Sequence, residues 1–424
     1  MQTSIRLLGR RRFLPLFVTQ MLGAFNDNLF KTAMVLFVTY QVYSDARMEL
    51  QFNALATGLF IMPFFLLSAL SGQLADTRDK ARIIRMVKLA EIAIMAAGAV
   101  GLLLSSIPLM LAAVLAMGIH STFFGPIKYA ILPQHLHKDE VLGGTGLVEA
   151  GTYIAILAGT ITAGFITHDA RIAAALVLVV AVTGWLTGRQ VPPAPPINPP
   201  EKLDFHIIRA SIALVSGTMH IRRLFLAICS ISLFWAIGAV LIIEFPPLVK
   251  NVLTADEQVA SLFLAIFSVG VAVGSLMINR LLRGTVSARY APAAVIAMSG
   301  FVLLLHFVAR QWVGDDAGEL YDLWAFVRHD GAPMLILSLF GVAVSGGMFV
   351  VPLYAFLTTT VGAGETARTV AANNIVNSGA MVIGSLVAFG LSAADVSAVD
   401  QLLLVSAMCI VSAWLAWKLH CACE

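Results

Sequence analysis

Residues 72–82 read Gly72-Gln73-Leu74-Ala75-Asp76-Thr77-Arg78-Asp79-Lys80-Ala81-Arg82, between apolar runs at 52–73 and 83–106. A membrane helix needs about 20 apolar residues, and each flank supplies them. The charged segment is therefore a tight loop joining two spans. Outward from it the same alternation fills the chain. Further runs fall at 13–41, 108–133, 142–168, 171–190, 222–248, 257–282, 288–312, 332–361, 369–391 and 399–418. Twelve spans consume roughly 240 residues at about 20 each, which fits a 424-residue chain with short loops. Composition agrees. The chain is 59% hydrophobic and 12% charged, against roughly 45–50% and ~25% in soluble domains, and its mean hydropathy is +0.88. A water-soluble enzyme is excluded. The basic start, Met1–Arg12, runs into an apolar stretch without a small-residue cleavage signal, so it reads as the approach to a first span.

Between the sixth and seventh spans lies VPPAPPINPPEKLD (191–204), holding six of the sixteen prolines. Phe205, Ile208, Ile212, Val215 and Met219 follow at helical spacing. A stiff linker feeding an amphipathic surface helix is expected, dividing the chain into bundles 1–190 and 222–424 around a segment 191–221. Charge sets the orientation. Of 27 Lys and Arg, nineteen fall on the side of the N-terminus and five (Arg47, Arg171, Lys250, Arg310, Arg328) on the other. Positive residues stay inside, so both termini are expected in the cytoplasm, with the acidic loop GDDAGELYDLW (314–324) outside. The halves also echo one another: Gly-Pro-Ile-Lys-Tyr-Ala-Ile-Leu (125–132) against Val-Pro-Leu-Tyr-Ala-Phe-Leu (351–357), and Leu-Val-Glu-Ala-Gly (147–151) against Ile-Val-Asn-Ser-Gly (375–379). Two related six-helix bundles are expected.

Ionisable groups inside spans cost about 2.5–3.5 kcal/mol each on insertion scales and are functional candidates by default. Asp27 sits mid-span within Ala24-Phe25-Asn26-Asp27-Asn28, with Lys31 one turn on; Lys128 lies beside Pro126 in the fourth span and Glu149 in the fifth. Asp27 with Lys31, or Asp27 with Lys128, reads either as a cavity pair or as an interhelical staple. Glu244, Lys88 and Glu91 lie nearer span ends and are expected to snorkel or pair locally. His120 and His306 are expected to be packed helix histidines. The chain carries no phosphate-binding GxxxxGK[ST] loop, metal-spaced His/Cys cluster or His-x4-Asp acyltransferase box. The four cysteines form no disulfide framework, and the net charge of +3 does not point to nucleic acid. No cofactor is expected.

The 72–82 loop resembles the signature loop of the major facilitator superfamily, whose two halves hold six spans each. There an Asp and following cations latch the two bundles on the cytoplasmic side, which implies gating by Asp76, Arg78, Lys80 and Arg82. Thr77 stands for the usual basic residue and Asp79 for the usual Gly. Further motifs narrow the resemblance. Ala-Phe-Asn-Asp-Asn (24–28), Gly-Gln-Leu-Ala-Asp (72–76), Gly-Pro-Ile-Lys-Tyr-Ala-Ile-Leu (125–132), Gly-Leu-Val-Glu-Ala-Gly-Thr (146–152), Leu-Phe-Trp-Ala-Ile-Gly (233–238) and Gly-Gly-Met-Phe-Val-Val-Pro-Leu (346–353) are similar to the bacterial lysophospholipid transporter family.

That resemblance implies an all-α membrane protein of major facilitator fold, with twelve transmembrane helices in two pseudo-symmetric bundles, acting as a transporter and not an enzyme. It implies movement of lysophospholipids, notably lysophosphatidylethanolamine, across the bacterial inner membrane for re-acylation by a partner acyltransferase. A monomer among membrane lipids is expected. The candidate substrate-binding residues are Asp27, Asn28, Lys31, Lys128, Glu149, Tyr354 and Asn377, of which Asp27, Lys128 and Glu149 match polar cavity positions of the family. Asn26, Tyr354 and Thr358 depart from its common Gly, Asn and Gln. An acyl chain of about 16 carbons loses on the order of 12 kcal/mol on entering water at ~0.8 kcal/mol per methylene, so the tail must stay in lipid while the head group enters a cavity. Two rivals stand beside this reading. One is proton-coupled transport of soluble solutes such as drugs, peptides or wall fragments; the other is a membrane-embedded enzyme or a scaffold for the acyltransferase.

Overall fold

The computed structural model describes residues 6–137, 140–196, 206–282, 287–313, 320–359 and 366–423. Among them are twelve helices of at least 19 residues: α1 Leu14–Phe37, α2 Ala46–Thr77, α3 Lys80–Leu103, α4 Ile107–Ala130, α5 Val141–Ile166, α6 Ala170–Gly188, α7 Arg222–Asn251, α8 Glu257–Leu281, α9 Ala291–Arg310, α10 Ala332–Thr359, α11 Thr366–Ala393 and α12 Ala398–Cys423. Ten helices are long and apolar enough to cross a membrane. The other two are α1, which carries Asn26, Asp27, Asn28 and Lys31, and α5, whose described apolar stretch is Ile154–Ile166. The chain is a multi-pass, all-helical membrane protein. A linker helix, Ile207–Met219, precedes α7 and exposes Ile208 and Ile212 one turn apart.

Helix ends follow local chemistry. Asp79 caps α3 by accepting from the Arg82 amide (2.9 Å), and Asp169 caps α6 by accepting from the Arg171 amide (2.8 Å), satisfying amides that lack an intrahelical partner. The largest boundary difference is at α2, expected from 52 and observed from Ala46. Arg47 and Glu49, which mark a loop in the sequence, are here neutralised by remote partners, Asp395 at 3.1 Å and Lys250 at 2.5 Å.

The helices form two compact units, one of residues 1–37 and 66–210 and the other of 38–65 and 211–424. In the first, α1 packs on α5 and α6, and α3 on α4 and α6; in the second, α7 packs on α11 and α12, and α9 on α10 and α12. The two pairing schemes coincide under a shift of six helices, the pattern of an internal repeat. Repeat symmetry breaks at α2, which is divided between the units at residues 65 and 66. Its counterpart α8 lies whole against α10. That contact needs glycine: a Cβ on Gly274 would sit 2.0 Å from the Val344 carbonyl oxygen, and one on Gly347 2.2 Å from the Val271 carbonyl oxygen. Close small-residue contacts of this kind replace the hydrophobic driving force that helices lack in lipid.

Candidate functional site

In the first unit α1 turns successive polar side chains to different neighbours. A step of about 100° per residue sends Asn26 to α3 and Asp27 to α4. Asn26 Nδ2 donates to Glu91 Oε1 (3.0 Å), Lys88 Nζ donates to Glu91 Oε2 (2.5 Å), and His120 Nε2 lies 3.3 Å from the same oxygen. Ser121 donates to Asp27 Oδ2 (2.5 Å), and His120 Nδ1 is 3.4 Å from Ser121 Oγ. The Lys88 side chain is fully enclosed and Glu91 nearly so; Lys88 runs past Gly23, where a Cβ would stand 2.5 Å from Nζ. The ammonium lies 5.1 Å from the Phe124 ring centroid. Lys88 and Glu91 do pair locally, one turn apart, but mid-helix and buried, with no snorkelling to an interface. Their position in α3, which runs from residue 80 to 103, was the signal: Glu91 lies almost equidistant from both ends.

Lys128, on α4, donates to Thr152 of α5 (3.4 Å); Thr152 in turn donates to Gln20 of α1 (2.8 Å). Asp27 therefore meets Ser121, and Lys128 meets Thr152; the structure does not join Asp27 and Lys128 as an ion pair. Asp27 Oδ1 is buried with no hydrogen-bond partner among the described residues. Asn28 turns back to the Ala24 carbonyl of its own helix (2.9 Å), and Lys31 is half-buried one turn beyond Asp27. The side chains of Glu149, Asp76 and Thr358 lie outside the described residues.

Of the loop cations, Lys80 is buried and its amide donates to the Ala194 carbonyl (3.0 Å), while Arg85 reaches the Val191 carbonyl (3.1 Å). These bonds tie the start of α3 to the proline-rich linker. Arg78 and Arg82 are exposed, with no ion-pair partner among the described residues.

In the second unit the two expected site residues meet. Tyr354 Oη accepts from Trp235 Nε1 (2.8 Å) and from Asn377 Nδ2 (3.2 Å), and Asn377 Oδ1 accepts from Ser232 (2.8 Å). One cluster thus joins α7, α10 and α11. Glu244 overturns the expectation of snorkelling or local pairing: it is fully buried on α7, and neither carboxyl oxygen has a partner among the described residues. His306 is a packed helix histidine, its Nδ1 2.7 Å from the Val399 carbonyl oxygen.

The same unit holds a clasp that the sequence did not disclose. Lys250 Nζ donates to Glu49 Oε1 (2.5 Å) and to the carbonyls of Thr39 and Tyr43, just beyond α1; Asn251 donates to Glu49 Oε2 (2.5 Å). A cation at carbonyls left open by a helix end is favourable. Tyr40 donates to the Ala255 and Asp256 carbonyls (2.9 and 3.1 Å). Asp256 caps α8 through the amides of Gln258 and Val259; burial nonetheless pushes its carboxyl above the ordinary range, with Glu257 and Asp322 adding to the rise.

Helical repeat, buried polar clusters and small-residue contacts are features of a membrane-transporter architecture. The sequence profile of the Major Facilitator Superfamily matches residues 16–385, and the chain belongs to that superfamily. It is similar to proteins called lysophospholipid transporter LplT: 26% identical over 391 residues to that of Serratia proteamaculans, covering 88% of this chain and 86% of the relative, and 25% identical to that of Pectobacterium carotovorum, covering 86% and 83%. Solved structures share the fold. A bacterial homologue of the lysosomal transporter Spinster superposes with TM-score 0.69 at 12% identity over 96% of each chain. A POT family transporter in complex with 5-aminolevulinic acid gives 0.72 at 10% identity over 96% of this chain and 95% of that one. The chain is a transporter, not an enzyme.

Proposed function

We propose that this chain moves lysophospholipids, lysophosphatidylethanolamine foremost, across the bacterial inner membrane by alternating access with lateral lipid entry. The observation that carries the proposal is the Asp27 carboxylate of α1, whose Oδ2 accepts from Ser121 while its buried Oδ1 has no hydrogen-bond partner among the described residues, with the opposite charge of Lys128 on α4. A head group bearing both phosphate and ammonium engages Lys128 through the first and Asp27 through the second, and a solute with one charge engages only one of the two. The names of the relatives supply the lipid class. The Tyr354–Asn377–Ser232 cluster provides neutral donors and acceptors in the second half.

The remaining parts follow from the same proposal. Both termini lie in the cytoplasm on the charge bias of the loops, Asp76 with Arg78, Lys80 and Arg82 gates on that side, and an acyltransferase consumes the delivered lysolipid. The test is competition in proteoliposomes. Unlabelled lysophosphatidylethanolamine should suppress movement of its labelled form more strongly than glycerophosphoethanolamine, which has the head group but no tail. Equal suppression favours the second reading, proton-coupled transport of a soluble solute. That reading has its own observation, the approach of His120 to buried Glu91 at 3.3 Å.

A further inference from the structure

The first unit contains a groove of about 680 Å³ between α3 and α4, with Leu74 of α2 and the 78–82 segment at one end. Its composition is sharply divided. Arg78, Asp79 and Arg82 lie at the loop end, and the walls beyond are apolar, with Met86, Ala90 and Ile94 of α3 facing Ala116, Ile119 and Phe123 of α4. Met86 is 64% exposed and Ile119 38% exposed, so the groove opens on the outer face of the helices.

We infer that this groove holds one anionic phospholipid of the surrounding membrane, its phosphate between Arg78 and Arg82 and an acyl chain laid along Met86–Ile94. Three observations carry the assignment. Depth comes first. From Arg82 to Ile94 the helix rises about 18 Å at ~1.5 Å per residue, close to one leaflet, about half of a ~30 Å hydrocarbon core. Charge comes second. Two guanidiniums stand against one carboxylate, and that carboxylate already caps α3 by accepting from the Arg82 amide. Among the described residues the loop end of the groove is left net positive, and guanidinium forks match phosphate oxygens. A basic pocket between membrane helices is the expected receptor for an anionic head group, whereas the ammonium of a zwitterionic one would meet like charge. Position comes third. His120, which forms part of the groove wall, also approaches Glu91, so an occupant of the groove lies against the buried cluster.

The site is separate from Asp27 and Lys128, shares Arg78 and Arg82 with the proposed gate, and does not depend on which solute the chain carries. The test is native mass spectrometry of the full-length protein released from vesicles of equal phosphatidylglycerol and phosphatidylethanolamine. The expected result is retained phosphatidylglycerol in preference to phosphatidylethanolamine. Retention should fall about fivefold for each arginine lost in Arg78→Gln and Arg82→Gln, taking about 1 kcal/mol per basic residue. It should also fall in Ala90→Phe, which fills the apolar wall, and stay unchanged in Arg189→Gln, whose guanidinium stacks on Trp185 away from the groove. Should the arginine variants not fold, Ile119→Trp provides a second measurement: brominated phosphatidylglycerol should quench its added fluorescence more than brominated phosphatidylethanolamine does. Equal retention of the two lipids, an equal loss in Arg189→Gln, unchanged retention in Ala90→Phe, or equal quenching overturns the assignment.

Discussion

Lys88 Nζ lies 2.5 Å from Glu91 Oε2, one turn apart on α3, in an ion pair withdrawn from lipid and water alike. Removing one partner of a buried pair costs about 3–5 kcal/mol because the other charge is stranded, whereas replacing both with apolar groups is often nearly neutral. The expected outcome is therefore a large loss of thermal stability in Lys88→Met and substantial recovery in Lys88→Met/Glu91→Met. Recovery stays incomplete because Asn26 and His120 also lose a neighbour. Thermal unfolding in detergent, followed by monodispersity, checks this; a single variant as stable as the parent contradicts it.

The α8–α10 contact is expected to reject a single methyl group. Gly274→Ala would place its Cβ against the Val344 backbone, which cannot yield as a side-chain tip can, while Gly300→Ala on α9 meets nothing within 4 Å. The first should destabilise by about 1–3 kcal/mol, as overpacking does. The second should cost nothing, since Ala is the better helix former. Equal melting temperatures for the two variants would show that α8 is not held against α10 by this approach.

Lys250 anchors the chain just after α1. In Lys250→Met the carbonyls of Thr39 and Tyr43 lose a charged donor, and Glu49 loses its cation. Hydrogen bonds to charged groups contribute about 1.5–3 kcal/mol, so amide exchange across residues 38–50 should accelerate roughly tenfold or more, by the 1.4 kcal/mol per decade relation. Unchanged exchange there would mean that the clasp is dispensable.

The hydropathy of the chain displays the twelve helices because membrane helices must satisfy their backbones internally and cover them with apolar side chains. That signal is local and strong. Asp27 and Lys128 stand out for the same reason, as isolated charges in apolar runs. Pairings between distant segments are not local. Arg47 and Glu49 look like loop residues until Asp395 and Lys250 reach them across more than two hundred positions of sequence. The division of α2 between two units likewise arises from packing partners that periodicity does not encode. For Asp27, the preference for Ser121 over Lys128 depends on which turn of α4 stands level with it: the two residues share one face, seven positions and about 10.5 Å apart along the axis, and sequence spacing leaves that choice open.

Transbilayer movement of labelled lysophosphatidylethanolamine, measured in proteoliposomes for the parent chain, Asp27→Asn and Lys128→Ala, tests the proposed function most directly. The expected result is protein-dependent movement by the parent and its loss in both variants, with each variant still folded and monodisperse. Movement at the parent rate in both variants would place the head-group site elsewhere. No movement above protein-free vesicles by the folded parent would contradict lysophospholipid transport itself.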